Sequence, residues 1–213
     1  NCGQDSSFSA YKIAQGNTDS NGIGDFFFEP PTGFLACCTK NLPEPAVTPS
    51  EHFNTVLYTG NGSAQAISGV GFQPDFNWIR NRDIVTNHLL FDAVRGASKS
   101  LRSDASSAEG SASDEQTGYV SDGFTLGHEP EMNENSATYC SWNWKVGGSS
   151  SSNSDGSITS SVSVNQTAGI SIGTFTGTAS VGTVGHGLNA VPSMIINRTI
   201  TSDEKDWMTY HHK

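Results

Sequence analysis

Hydrophobic and polar positions alternate along much of this chain, and nowhere do they recur with a sustained helical period of three to four. From Phe53 to Thr59 aromatic or aliphatic residues alternate with polar ones, the period of a half-buried strand. Phe76, Trp78 and Arg80 share one face of the next such run. Leu89-Leu90-Phe91 and the run 123–127 read as further short strands. In the run 138–146, Tyr139, Ser141, Asn143 and Lys145 fall on one face and Cys140, Trp142, Trp144 and Val146 on the other, because successive strand side chains point to opposite sides. Runs 33–39, 158–164, 169–175 and 193–197 complete the predicted strands, with Asn61-Gly62 as a hairpin signal and 103–115 as a long polar loop holding at most one helical turn. Short strands without helices make an all-β fold, and the long loops favour antiparallel β-sandwiches of jelly-roll or concanavalin-like type over a tight barrel.

The pattern occurs twice. Residues 56–60 and 71–82 return as 172–177 and 185–198: Tyr58 and Phe175 lie 117 positions apart, Pro74 and Pro192 118, and Phe91 and Tyr210 119. A period this long is not that of a solenoid repeat; it implies a small domain copied in tandem. The reading divides the chain into residues 1–42, a proline-rich extended linker at 43–52, a complete β-sandwich module at 53–146, a Gly/Ser linker at 147–157 and the first half of a second module at 158–213.

Composition narrows the function. Among 213 residues, 15% are charged, 34% are hydrophobic and 9% are aromatic, with 23 Gly and 30 Ser, a balance suited to a turn-rich β protein rather than a disordered one. The net charge of −10 repels phosphate backbones, which argues against nucleic-acid binding. No apolar run approaches the roughly 18–20 residues that span a bilayer, and no basic amphipathic helix suits a membrane surface. Cys2, Cys37, Cys38 and Cys140 form no C-x-x-C pair and read as free thiols packed as small hydrophobes, with a disulfide from Cys2 as the alternative.

The motifs that carry these elements resemble a known set. Asn17-Thr18-Asp19-Ser20-Asn21-Gly22-Ile23-Gly24-Asp25-Phe26, then 30–43 from Pro30-Pro31 to Leu42-Pro43, is similar to the C-terminal end of the SPRY-like, concanavalin-type sandwich of phage structural proteins; Cys37 stands where a Leu is usual. The motifs at 58–67, 74–82, 91–97, 121–127 and 139–148 resemble, in this order, a domain of tail-fibre-like and other virion proteins of marine bacteriophages, with Arg80, Gly69, Cys140 and Asn143 as departures. The resemblance implies a non-enzymatic virion structural protein on the particle exterior, part of a tail fibre, spike or other appendage. Its partners would be other virion proteins, copies of itself in a homo-oligomer, and host-surface polysaccharide. It also implies a chain that starts inside the SPRY-like domain and stops inside the second module. A capsid decoration protein and a bacterial secreted lectin-like or carbohydrate-active protein are the alternatives.

Candidate chemistry is sparse. His128 with Glu129 and Glu131 belongs to no metalloprotease helix, nucleophile elbow or phosphate loop, and His186 reads as the order-giving residue of a Gly-His-Gly turn. Asp104, Glu109, Asp114 and Glu115 lie in a loop without aromatic platforms, so a glycosidase pair is not expected. His211-His212 matches the family's pattern there. Asn17, Asp19 and Asn21 imitate half of a calcium loop, yet Phe28 occupies the place of its bidentate Glu, so an Asx-rich turn explains them without a cofactor. Trp78, Trp142 and Trp144 read as core indoles of the sandwich, with a sugar-stacking platform as the functional alternative; Trp207 carries the same two readings. The sequons at Asn61, Asn165 and Asn197 are incidental in a bacterial host.

Overall fold

A computed structural model describes residues 15–43 and 46–212; Cys2 and any disulfide it forms lie outside them. The chain divides into two compact units, Asn1–Ala46 and Val47–Lys213.

The described part of the first unit is built on one aspartate. Asp19 is only 5% exposed, and its Oδ1 accepts from Asn21 N and Ile23 N while its Oδ2 accepts from Ala36 N and Asn41 Nδ2, all at 2.7–2.9 Å. Asn17 donates its amide to Phe27 O instead of turning toward Asp19. The three residues of the calcium reading therefore make a hydrogen-bonded turn in which the carboxylate's acceptor sites are already filled by N–H donors. Burial alone would raise the Asp19 pKa, but the four hydrogen bonds outweigh it and hold the group at about 2, below its ordinary 3.8. A depressed carboxylate stabilises the fold fully above its unfolded-state value and ceases to as pH falls through its folded one. Amide shifts of Ile23 and Ala36 are therefore expected to stay constant above about pH 5 and to move together near pH 2; a midpoint near 4 would contradict this assignment.

The predicted buried strand at 33–39 is absent: Ala36 alone of that run is buried, Cys37 is exposed, Cys38 is a half-buried free thiol, and Thr39–Asn41 forms a turn of 3-10 helix. The run is apolar enough to suggest a strand, but Asp19 and Asn41 capture the Ala36 N–H and C=O that a ladder would need.

The second unit is all-β. Its strands are β1 (Phe53–Thr59), β2 (Gln65–Ile67), β3 (Phe76–Asn81), β4 (Leu89–Asp92), β5 (Gly96–Arg102), β6 (Gly110–Ser111), β7 (Gln116–Val120), β8 (Gly123–Leu126), β9 (Thr138–Trp144), β10 (Ser151–Asn153), β11 (Ser160–Asn165), β12 (Ile170–Phe175), β13 (Met194–Asn197) and β14 (Met208–His211). A six-stranded antiparallel sheet has the order β1-β9-β3-β4-β5-β6, and a three-stranded one β2-β8-β7. Ile79, Leu89, Phe91 and Tyr139 from the first sheet pack with Ile67, Phe124 and Leu126 from the second, the two inner faces of a sandwich. The four-residue helix α1 (Pro130–Asn133) closes one end, where Tyr58 stacks on Tyr139 at 4.9 Å. The Tyr58 hydroxyl donates to Met132 O, and the Tyr139 hydroxyl donates to Pro130 O while accepting from Glu134 N. Gly123 has φ +158°, and a Cβ there would collide with Ile67 O, so only glycine lets β8 approach β2 this closely.

Three sequence expectations change. Asn61-Gly62 is not a β-hairpin turn: β1 pairs with β9 and β2 with β8, so the loop crosses from one sheet to the other, with Asn61 Oδ1 accepting from Ser63 N. The Gly/Ser linker contains β10, which pairs with β11 in the sheet β10-β11-β12. The loop 103–115 holds the short β6 and no helical turn. The sheets formed by residues 53–144 and by residues 151–211 share no strand, yet both lie in the one unit from Val47.

Candidate functional site

Strand β9 is the axis of the site. It lies between β1 and β3, and the register sets side chains in rows across the three strands: Phe53–Trp144–Phe76, Thr55–Trp142–Trp78 and Leu57–Cys140–Arg80. Because side chains alternate, the neighbouring rows Asn54–Asn143–Asn77 and Val56–Ser141–Ile79 face the other way. The rows with Asn143 and Ser141 face the second sheet: Asn77, Asn143 and Ser141 are fully buried. The aromatic rows face outward, with the three indoles and Phe76 half-buried, Phe53 exposed and Leu57 62% exposed.

This inverts the partition that transfer free energies favour. Burying an amide costs unless it is hydrogen-bonded, and here every polar side-chain atom of Asn77, Asn143 and Ser141 except Asn77 Oδ1 is bonded. Asn77 Nδ2 donates to Asn143 Oδ1 at 2.5 Å, Ser141 Oγ donates to the same oxygen at 2.9 Å, and Asn143 Nδ2 donates to Asn54 O and Ser141 O. Asn54 Nδ2 extends the network to Val70 O. With the interior layer occupied by amides at this end of the sandwich, the indoles stand on the outside. The core reading of Trp78, Trp142 and Trp144 is corrected accordingly.

The rings of this face form two contacting groups. Trp144 lies 4.9 Å from Phe53 and 5.1 Å from Phe76, tilted to both, and Trp142 meets Trp78 edge-on at 5.8 Å. Arg80 and Arg82, both exposed, add positive charge at the far end of a surface on a chain of net charge −10. At the near end a cavity of about 370 Å³ is lined by Val47, Pro49, His52, Phe53, Trp144, Ala168 and Ile170. His52 Nδ1 and Asn165 Nδ2 are 2.9 Å apart there, and Asn165 also donates to Lys145 O. An apolar, ring-lined surface with a few fixed polar groups suits a flat ligand with one apolar face and polar edges, as in a pyranose.

The other singled-out residues lie elsewhere. His186 Nδ1 accepts from Leu188 N within its own turn. His128 pairs with Asp114 at an exposed position, and Glu131 binds Arg102 and Asn87. Glu109 takes Arg95 and Lys99, while Asp104 accepts from His88 N. Glu115 is buried, which raises its pKa. None of these carboxylates lies on β1, β3 or β9. Trp207 donates its indole N–H to Arg102 O and carries the Arg198 guanidinium 4.9 Å above its ring, a packing role. Among the described residues, no group of three or more His, Cys, Asp or Glu is placed to hold a metal.

Residues 48–213 match the profile of a family described as Domain of unknown function (DUF7483). The chain belongs to this family. No curated protein and no solved structure matches it. The match begins one residue after the start of the second compact unit and runs through both groups of sheets without a break.

Proposed function

We propose that this chain is a non-enzymatic structural protein of a bacteriophage virion, part of a tail fibre, spike or similar appendage, that binds host-surface polysaccharide through the outer face of β1, β9 and β3. One observation carries the binding reading: five aromatic rings stand half-buried or exposed on that face while asparagines occupy the interior behind it. A domain that needed indoles only to fold would gain by burying them, at roughly 25 cal/mol per Å² of apolar surface. The order of sequence motifs supports the virion assignment. Tandem modules, if repeated along an appendage, would turn weak single sites into avid attachment through effective concentration.

The reading is tested by printing bacterial capsular and lipopolysaccharide glycans and probing them with the chain fused to a trimeric tag, with released reducing ends assayed in parallel. Retention on a subset of glycans without new reducing ends is expected. Binding to none would overturn the glycan reading, and turnover would overturn the non-enzymatic one. Labelled antibody on intact particles locates the chain: decoration of the shell rather than an appendage would favour the capsid alternative.

A further inference from the structure

The aromatic face ends in charge. Beyond the rings, the outward rows of β1, β9 and β3 continue as Leu57–Cys140–Arg80 and then Thr59–Thr138, with Arg82 opposite Thr138. The outward positions of these four rows include no Asp or Glu, and their only ionic groups are the two arginines. This happens on a chain with 21 acidic residues against 11 basic ones. The other three arginines of the chain are all engaged: Arg95 by Asp92 and Glu109, Arg102 by Glu131, and Arg198 by the carbonyls of Arg102, Ala105 and Ser107. Among the described residues, the exposed Arg80 side chain has neither an ion pair nor a hydrogen bond. Arg82 has a partial counter-charge in Asp83, whose carboxyl is held below its ordinary range chiefly by hydrogen bonds from Thr138 and further by the Arg82 charge. A free guanidinium suits a carboxylate, which its planar fork can take through two parallel N–H···O bonds. Same-face residues of a strand recur about every 7 Å, so Arg80 stands one such step from Trp78 and two from Phe76.

We propose that the polysaccharide taken by this face is acidic: a chain carrying uronic-acid residues, laid along β9 and β3 with a ring carboxylate on the Arg80 guanidinium. Sugar rings would lie against the Trp144–Phe76 and Trp142–Trp78 rows, and the carboxylate would fall at the next row. This inference rests on the glycan reading above and narrows it to one substrate class. The aromatic rings offer apolar contact that any pyranose can share, whereas the cation separates a uronate from its neutral counterpart. The net charge of −10 repels an acidic chain from the rest of the surface, which confines binding to the one face that carries unopposed positive charge.

The test titrates oligomers of galacturonate, glucuronate and mannuronate into the whole chain, each beside the carboxyl-reduced form of the same oligomer. At least one uronate is expected to bind about tenfold more tightly than its reduced form, with the preference shrinking as salt is raised. Arg80→Gln, at an exposed position, should weaken that uronate about tenfold and leave the reduced form unchanged. Arg80→Lys should recover only part of the loss, because it keeps the charge without the fork. Lys205→Gln, an equal loss of charge at another exposed position, should change nothing. Equal binding of the two forms, a preference that survives Arg80→Gln, or an equal loss with Lys205→Gln overturns the inference and leaves the aromatic face as a site for neutral sugars. Neutral glycans retained on the array with no uronate bound overturn the inference alone; no glycan of either kind bound overturns the glycan reading with it.

Discussion

Replacing Trp142 and Trp144 together by alanine is expected to abolish measurable saccharide binding while leaving the domain folded. Each indole sits centrally in its row, between residues of β1 and β3, where truncation of a buried aromatic contact costs on the order of 2 kcal/mol, about 30-fold in affinity. Single variants should each lose about that much, and the pair should fall below detection. The stability cost is smaller because the rings are only half-buried: roughly 1–2 kcal/mol for each, by area. Val181→Ala serves as the control, a fully exposed apolar residue on neither strand, and should change nothing. Titration calorimetry with a retained glycan reads the affinities, and urea unfolding reads the stability. Full retention of binding in the double variant would remove the platform from the account.

The second large effect concerns folding. Asn133 is fully buried, and its side chain closes four hydrogen bonds. Oδ1 accepts from Asn61 N and Gln65 Nε2, and Nδ2 donates to Ser63 O and Gly127 O. It thus ties the loop between the sheets to the end of β8. Asn133→Ala removes the partner of Asn61 N, Ser63 O and Gly127 O, while Gln65 Nε2 keeps Thr59 O, and is expected to cost about 3–4 kcal/mol, seen as a lower urea midpoint with unchanged slope. Asn133→Asp keeps the acceptor but sets a carboxylate against two carbonyl oxygens, and should cost no less. A loss below about 1 kcal/mol in both variants would show that the loop is held by its backbone alone.

These residues also show what could be read from the chain alone. The alternation along β9 and β3 correctly separated the indoles from the asparagines, because a period of two divides side chains between faces. It could not say which face is inside. Hydrophobicity points the indoles inward; the outcome was decided by amide bonds to Asn54 and Val70 O, partners far away in sequence. Asn133 was missed for a related reason: in Met132-Asn133-Glu134-Asn135 it looks like any turn residue, and its partners come from 61–65 and 127. β10 was invisible inside a serine-rich run because its pairing with β11, rather than its own propensity, makes it a strand. The 118- and 119-residue spacings of the sequence repeat recur in the register that the β3–β4 and β13–β14 hairpins share.

The central claim is that the face of Trp142 and Trp144 is a binding surface rather than misplaced core. It is tested most directly by following the four indole N–H resonances of the ¹⁵N-tryptophan-labelled chain while a retained oligosaccharide is added. The account predicts saturable shifts at Trp142 and Trp144, a smaller one at Trp78, and none at Trp207, whose N–H is bonded to Arg102 O. Shifts confined to Trp207, or binding with all four indoles unmoved, would contradict it.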